Sequence, residues 1–172
     1  MAKWDEAVVI ALGSNLPGRF DSCEALLEGA LATLDEVGLK VVARSGWWRS
    51  AAWPDPSDPP FLNGVAVVET TLDPSATLAL LHDLEDAFGR QRTSRNAPRT
   101  LDLDLIAYGR ILSDGEAGPV LPHPRAHERL FVMGPLTQIA PDWRHPRFGE
   151  TARSLAEKAS VGLDARLPSS AP

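Results

Sequence analysis

The chain has 172 residues, 44% of them hydrophobic and 23% charged, and a formal net charge of -6 at pH 7. One domain with a single core accommodates this length, and no stretch reaches the ~18 apolar residues that a membrane span needs. The acidic balance argues against nonspecific nucleic-acid binding, which depends on many basic groups. Acidic residues precede a first apolar run that is too short for a secretory signal, so we expect a cytoplasmic protein without membrane contact.

The first sixty residues predict a strand, a helix, a second strand and a long loop. Ala7–Leu12 is an apolar run typical of a buried strand, and the helix after it has Asp21 or Ser22 as its N-cap. Leu39–Ser45 has the composition of the next strand. The segment Trp47–Pro60 contains four prolines, which lack the amide donor that a sheet uses, so we expect a loop without regular pairing.

The next stretch predicts a strand, a helix and a strand again. Phe61–Thr71 alternates as a strand, and Thr100–Tyr108 has the pattern of the last one. Between them, Asp73 and Pro74 open a helix as its N-cap and first residue. The order strand, helix, strand, strand, helix, strand predicts an α+β protein of the ferredoxin-like type, with an antiparallel sheet and both helices on one face.

Extra C-terminal elements follow this unit. The stretch "LPHPRAHERLFVMGPLTQIAP" predicts a helix that is interrupted at Gly134 and Pro135. We assign residues 1–160 to one domain and expect residues 161–172 to form a flexible tail, since the end of the chain is short, polar and rich in proline and serine. We expect the chain to work as a monomer.

An unusual charge pattern lies in Gly89–Ile106, where four arginines precede two aspartates: Arg90, Arg92, Arg95, Arg99, Asp102 and Asp104. Because side chains alternate along a strand, both aspartates share one face, and the leucines around them take the core face. Two such carboxylates suit a magnesium ion, and arginines bind phosphate through paired hydrogen bonds. The pattern therefore predicts a site for a magnesium-bound polyphosphate.

A simpler interpretation of this pattern stays open. Asp102 and Asp104 could face water on an edge strand, and the arginines could pair with Asp83, Glu85 and Asp86 of the preceding helix. Taken alone, the aspartate pair is weak support for a metal site. The combination of arginines for phosphate with carboxylates for a metal is what favours phosphoryl-transfer chemistry.

The sequence resembles the family of 6-hydroxymethyl-7,8-dihydropterin pyrophosphokinases, which act in the folate pathway. The resemblance rests on "ALGSN", "FLNGVAVVET", "LEDAFGR", "APRTLDLDLI" and "LPHPRAHERLFV", in that order from Ala7 to about Pro146. It implies a ferredoxin-like fold and the transfer of pyrophosphate from ATP to the pterin hydroxymethyl group, with release of AMP. Small molecules would then be the partners of the chain.

The resemblance also implies roles for individual residues. Asp102 and Asp104 match the ligands of two Mg²⁺ ions and, with Arg92 and Arg99, the catalytic set. The loop matching Arg90–Arg99 closes over the site in that family. The implied ATP-binding residues are Arg90, Arg92, Arg99, His123 and Arg129, and the implied pterin-binding residues are Phe61, Asn63 and Phe131. Trp53 is a further candidate, which either supplies substitute cover for the pterin or only pins its loop.

Without the resemblance, Phe61 and Phe131 would be assigned to the core, Asn63 to a strand end and His123 to an exposed surface. Glu85 matches a family glutamate, and the alternative for this helix residue near the arginine loop is that it only orients an arginine. Asn96 stands where the family often has a tryptophan, and Ser50–Pro54 departs from the usual pattern. The alternatives in function are another magnesium-dependent nucleotide transferase and a non-catalytic ferredoxin-like binding module.

Overall fold

The computed structural model describes residues 4–52, 55–89, 100–116 and 118–168. The strands are β1 (Val8–Ser14), β2 (Lys40–Arg44), β3 (Trp48–Ser50), β4 (Phe61–Glu69), β5 (Asp102–Tyr108), β6 (Ser113–Asp114) and β7 (Val120–Leu121). The helices are α1 (Cys23–Glu36), α2 (Pro74–Ala87), α3 (Leu130–Ile139) and α4 (Ala152–Lys158), with a short 3-10 helix at Ala126–Glu128. No helix in these described stretches has the length and apolar character to cross a membrane.

The main sheet has the strand order β2-β4-β1-β5, and each neighbouring pair is antiparallel. The strand order and the connections through α1 and α2 are those of the ferredoxin-like fold, so the predicted fold class is confirmed. β1 and β4 lie in the centre and carry the longest buried runs, whereas β5 forms one edge. Two-stranded pairing of β6 with β7 forms a separate small ribbon.

Helices α1 and α2 cover one face of this sheet, as predicted. Ser22 is the N-cap of α1, and Asp73 is the N-cap of α2 with Pro74 at the first position. Each cap side chain accepts a hydrogen bond from a backbone N–H of the first turn, which satisfies a donor that has no partner inside the helix. The leucines of both helices pack with alternate residues of β1, β4 and β5 in one core.

The opposite face of the sheet is covered by α3 and α4, which form a second core with the remaining alternate residues of β1 and β4. α3 is continuous through Pro135, so the predicted interruption is wrong. One proline removes a single amide donor, and here the helix continues past it. Gly134 has a packing reason, because a Cβ there would lie 2.6 Å from the ring of Trp48. The glycine lets α3 lie directly on β3.

The segment Trp47–Pro60, predicted to be a loop, contains the short strand β3. Trp48 pairs with Asn63 and Ser50 pairs with Phe61, so β3 extends the sheet beside the start of β4. The prediction missed it because the prolines of this segment begin only at position 54. Residues 48–50 keep their amide donors, and the strand ends before the first proline.

The segment Ser160–Arg166, which we call the C-terminal strap, runs across the structure where a flexible tail was expected. Its first residues bond to Glu128 and Leu130, and Arg166 exchanges two backbone hydrogen bonds with Arg49. Ala165 is buried within it. These contacts hold the strap against the fold over the described residues, and residues 169–172 lie outside them. The division of the chain into one domain remains a prediction.

Candidate active site

A cleft of about 1100 Å³ opens at the end of the sheet where β1 ends and β4 and β5 begin. Its floor is formed by strand residues, and its walls by the start of α3, by Ser50–Ala52 and by the strap. Six residues predicted from the sequence line this one cleft: Phe61, Asn63, Asp102, Asp104, Arg129 and Phe131. Residues from three separate parts of the chain therefore meet at one place.

The acidic pair on β5 follows the predicted alternation. Leu101, Leu103 and Leu105 are buried in the core under α1 and α2, whereas Asp102 and Asp104 are half-buried and line the cleft. β5 is an edge strand, as the simpler interpretation required. Its aspartates nevertheless line a cleft together with the other predicted site residues, and do not lie on a flat open surface.

Glu85 of α2 stabilises the backbone of this strand. Its side chain is 1% exposed, and Oε2 accepts a hydrogen bond from the backbone N–H of Leu103 at 2.8 Å. A carboxylate that accepts from a backbone N–H forms a charge-assisted hydrogen bond, which is stronger than a neutral one. Glu85 thus fixes the residue between the two aspartates, a role that the sequence had not indicated.

The strand register aligns the polar groups of the cleft across three strands. Gly13 of β1 pairs with Asn63 on one side and with Asp102 on the other. Neighbouring strands lie ~4.8 Å apart, so Asn63 and Asp102 are roughly 10 Å apart with Gly13 between them. Gly13 has no side chain to fill this gap, and a Cβ there would come within 2.8 Å of Asn63 Oδ1. The floor of the cleft between the amide of Asn63 and the carboxylate of Asp102 is therefore formed by the backbone of Gly13, with no side chain above it.

Phe61 and Phe131 are both partly exposed to the cleft and not fully buried. Phe61 lies on the face of β4 that it shares with Asn63, because the two residues are two positions apart. Phe131 lies near the start of α3, where the guanidinium of Arg129 is 5.6 Å from its ring centroid. These partly exposed positions suit aromatic rings that stack on a flat ligand better than they suit core residues.

Asn63 lies within β4, so it is not the strand-end residue that the simpler interpretation assigned. Its Nδ2 donates to Ser50 Oγ at 3.4 Å, a long hydrogen bond. An amide side chain has both a donor and an acceptor, and a weak intramolecular partner leaves it able to pair with a ligand edge.

His123 lies beside the cleft and is half-buried, whereas an exposed position was expected. Its backbone N–H donates to Ile106 O at 2.8 Å, which ties it to the end of β5. Burial, together with the positive charge of Arg129, lowers the pKa of His123 to about 4, although Asp102 opposes the shift. Its Nδ1 accepts from the N–H of Arg125 at 3.2 Å. The neutral ring therefore carries its proton on Nε2, which is a hydrogen-bond donor.

Four predicted site residues fall outside the described residues: Trp53, Arg90, Arg92 and Arg99. Their predicted roles stay predictions. The same holds for Asn96.

Several cleft residues were not found by sequence reasoning, namely Arg125, Glu128 and the strap residues Ser160–Asp164, whereas Ser50–Ala52 belong to the segment that the sequence marked as a departure from the family pattern. Arg125 and Glu128 lie in the motif around His123, where their polar character was the available signal. The strap had no comparable signal. Its position depends on backbone hydrogen bonds to Glu128 and Arg49, which are distant in the sequence.

Fold and cleft together define a class of protein. It is a ferredoxin-like α+β domain with a cleft on one face of its sheet, and this cleft combines aromatic, amide and carboxylate groups. A family model described as "7,8-dihydro-6-hydroxymethylpterin-pyrophosphokinase (HPPK)" matches residues 9–141. The chain belongs to this HPPK family.

Curated relatives agree with the family model. The chain is 41% identical to a 2-amino-4-hydroxy-6-hydroxymethyldihydropteridine pyrophosphokinase of Synechocystis, over 87% of this chain and 74% of the relative. It is 40% identical to the protein of the same name from Methylorubrum extorquens, over 90% of this chain and 95% of the relative.

Among solved structures, a Plasmodium falciparum HPPK-DHPS with pterin and p-hydroxybenzoate is similar, with a TM-score of 0.69 and 13% identity. The match covers 88% of this chain and 43% of that one, so this chain spans less than half of the length of that protein. At this identity the likeness concerns the fold alone.

Proposed function

We propose that this chain transfers pyrophosphate from ATP to the hydroxymethyl group of 6-hydroxymethyl-7,8-dihydropterin, with release of AMP, as a step in folate biosynthesis. The observation that carries the proposal is the register that places Asn63 and Asp102 on either side of Gly13 in one cleft. One side of the cleft suits a flat heterocycle and the other suits a polyphosphate. Membership of the HPPK family supports the same assignment.

The pterin is proposed to bind at the Asn63 side of the cleft. Phe61 and Phe131 offer apolar ring surfaces, and stacking of aromatic groups contributes about 0.5–1.5 kcal/mol beyond burial. Asn63 can donate to and accept from the edge of the pterin, which presents ring nitrogens and an exocyclic amine. Trp53 would add further cover. This arrangement orients the hydroxymethyl group along the floor toward Asp102.

The triphosphate is proposed to bind at the other side, with Mg²⁺ held by Asp102 and Asp104. The two carboxylates fit this ion, since they lie on one strand face, line the cleft and supply the oxygen ligands that magnesium prefers. Bound there with ATP, two Mg²⁺ ions would neutralise phosphate charge and align the phosphates. Arg90, Arg92 and Arg99 are proposed to bind the phosphate oxygens, as arginine does through paired hydrogen bonds.

His123 and Arg129 are proposed to complete the ATP site. Because the pKa of His123 is lowered to about 4, the ring is neutral near pH 7. Its Nε2–H can then donate to a phosphate oxygen without adding charge, and Arg129 supplies the charge beside it.

In the proposed reaction the pterin hydroxyl oxygen forms a bond to the β-phosphorus of ATP, and the bond from that phosphorus to the oxygen of AMP breaks. The hydroxyl proton is released. The protein's residues hold the two reactants in line and surround the negatively charged transferred group with positive charge. Positioning and charge neutralisation are the main contributions a protein makes to phosphoryl transfer.

Product identity tests this proposal. The purified chain is incubated with ATP, Mg²⁺ and reduced hydroxymethylpterin, and the nucleotides are separated by chromatography. We expect pterin-dependent AMP in equal amount to the pterin pyrophosphate. Pterin-dependent ADP without AMP would assign the chain to the other candidate class, a magnesium-dependent transferase that acts at the γ-phosphorus. No turnover together with ligand binding would identify a non-catalytic module.

Monomeric state and cytoplasmic location also belong to this proposal. The monomeric state is the part of this proposal that a solution measurement tests directly. Sedimentation at several protein concentrations tests it, and a mass twice that of the chain would contradict it.

A further inference from the structure

The strap, Ser160–Arg166, connects two walls of the cleft that are distant in the sequence. At one end the N–H groups of Ser160 and Val161 donate to Glu128 O at 2.9 and 3.0 Å, and Leu130 N–H donates to Val161 O at 2.9 Å. At the other end Arg49 and Arg166 exchange backbone hydrogen bonds of 2.7 and 3.0 Å. The strap therefore bridges the start of α3 and the end of β3.

Asp164 ties the strap to the wall beside the proposed pterin site. Its Oδ2 accepts a hydrogen bond from the backbone N–H of Ala51 at 2.7 Å. Ala51 follows Ser50, which pairs with Phe61 and contacts Asn63 through its hydroxyl. The carboxylate thus fixes the backbone next to the residues proposed to bind the pterin.

Gly162 fixes the strap against the aromatic wall. It has a φ of +70°, a conformation that favours glycine, and a Cβ there would lie 2.5 Å from Phe131 Cδ1. The ring of Phe131 therefore lies directly on the strap backbone, and the strap limits how this ring can tilt.

Leu163 lies on the strap between Gly162 and Asp164. It lines the cleft and is 65% exposed, so its apolar surface is accessible to a ligand. A flat ligand stacked in the cleft would cover part of this apolar surface, and its burial would favour binding.

We propose that the strap is a third wall of the pterin site, in which Asp164 is a positioning residue for Ser50–Ala52 and Leu163 contacts the pterin directly. This inference rests on the proposed function. The strap lies beyond residues 9–141, the part that the family model matches. Leu163 and Asp164 determine affinity and selectivity for the heterocycle and leave the affinity for ATP unchanged, because they lie at the Ser50–Ala52 end of the strap, whereas Val161 at its other end pairs with Arg129 of the proposed ATP site.

Calorimetry of four variants tests the inference. Asp164→Ala, Asp164→Asn and Leu163→Ala are compared with the wild type and with Asp142→Ala, which removes an exposed carboxylate that lies 3.8 Å from Arg153. Each protein is titrated with reduced hydroxymethylpterin and, separately, with a non-hydrolysable ATP analogue and Mg²⁺, and its melting temperature is recorded.

We expect Asp164→Ala to weaken pterin binding about tenfold, as the loss of one hydrogen bond to a charged group can do. Asp164→Asn should restore most of it, since the amide oxygen also accepts from Ala51. Leu163→Ala should weaken pterin binding roughly threefold or more, as expected from the removal of a few buried methyl groups. The ATP analogue should bind all variants and Asp142→Ala like the wild type.

The outcomes separate this inference from the proposed function. A wild type that binds no pterin overturns both. If the wild type binds pterin and the variants at 163 and 164 bind it equally well, only the strap inference fails. An equal loss of affinity for pterin and for the ATP analogue would indicate a structural role alone and would also overturn it. If Asp164→Ala does not fold, the pterin affinity of Leu163→Ala still tests the inference, because Leu163 is exposed and its truncation should not affect folding.

Discussion

Asp102 and Asp104 are two residues apart, and this spacing alone determines that their carboxylates lie together in the cleft. Their spacing places both carboxylates on one face of β5, and the three leucines around them hold that strand in the core. Removing one negative charge while preserving shape is therefore a test of chemistry and not of folding.

We predict that Asp104→Asn lowers turnover by roughly a hundredfold or more, since charge neutralisation at a phosphoryl group contributes several kcal/mol. Asp102→Asn should behave similarly. Steady-state AMP release is the measurement, with Asp142→Asn as a matched control at an exposed carboxylate. Activity within a few-fold of the wild type in either cleft variant contradicts the metal assignment.

Asn63 supports a second prediction at the residue scale. Asn63→Ala should weaken the binding of reduced hydroxymethylpterin by about tenfold or more, because the polar edge of the ligand would lose its partner inside the cleft. Binding of an ATP analogue should change little. Phe61→Ala should share this pattern through lost stacking. Titration calorimetry measures both ligands, and unchanged pterin affinity in both variants would falsify the assignment of this side of the cleft.

At the scale of elements, the alignment of β4, β1 and β5 is what assembles the cleft. The local signals in the sequence were sufficient for α1, α2 and the long strands, since each has a cap or a clear alternation. They failed for β3, which is only three residues long, and for α3, where Gly134 reflects packing against Trp48. Both depend on contacts between distant segments.

The residues of the candidate site divide in the same way, into those that a local sequence pattern predicts and those whose role depends on a contact with a distant segment. Residues within motifs, such as Asn63 and Asp102, could be predicted, because their motifs resemble a family and their alternation is local. Glu85 and Asp164 could not be assigned in the same way, since each acts on the backbone of another element. A hydrogen bond between a side chain and a distant backbone N–H leaves no periodic pattern in the sequence.

The register itself can be tested at Gly13. Gly13→Ala should place a methyl group within reach of Asn63 Oδ1, because the Cβ position is 2.8 Å from that atom. We predict a loss of pterin affinity of about tenfold with little change in the affinity for the ATP analogue. The melting temperature should change by only a few degrees, since a side-chain amide can rotate away. An unaltered pterin affinity would show that the amide of Asn63 is not where the ligand binds.

At the scale of the whole molecule, the C-terminal elements contain a buried histidine away from the cleft. His145 is 3% exposed, and its Nδ1 accepts from the N–H groups of Arg147 and Phe148, each at 3.2 Å. The ring of Phe148 stacks on it at 4.4 Å between centroids. His145 therefore has a structural position that favours the neutral ring.

This burial predicts how stability depends on pH. Burial first, and then the electrostatic interaction with His127, Arg147 and Arg110, lowers the pKa of His145 to about 4, while Glu150 opposes the shift. In the unfolded chain the pKa is near 6.5, so between pH 6.5 and pH 4 the unfolded state binds more protons. Stability should therefore decrease as the pH falls through this window, and should be level above it.

Urea unfolding at several pH values measures the effect. His145→Asn keeps a side-chain acceptor for the two N–H groups and cannot titrate, so its stability should depend less steeply on pH between 6.5 and 4. His123, whose pKa is also lowered to about 4, leaves a residual slope of the same sign. A variant with the wild-type slope would mean that His145 does not contribute to acid sensitivity.

The position of Gly13 between Asn63 and Asp102 also bears on which alcohols the chain accepts. Two inter-strand steps of ~4.8 Å separate Asn63, proposed to recognise the heterocycle, from Asp102, proposed to hold the metal-bound phosphates, and backbone hydrogen bonds fix both steps. A side chain can adopt another rotamer, but a sheet cannot shorten its strand spacing. An analogue with one extra methylene before its hydroxyl would fit the ring site and yet present its oxygen beyond the in-line position. The distance between the ring site and the phosphate site is then set mainly by the strand spacing of the backbone, and this distance selects alcohols by their length.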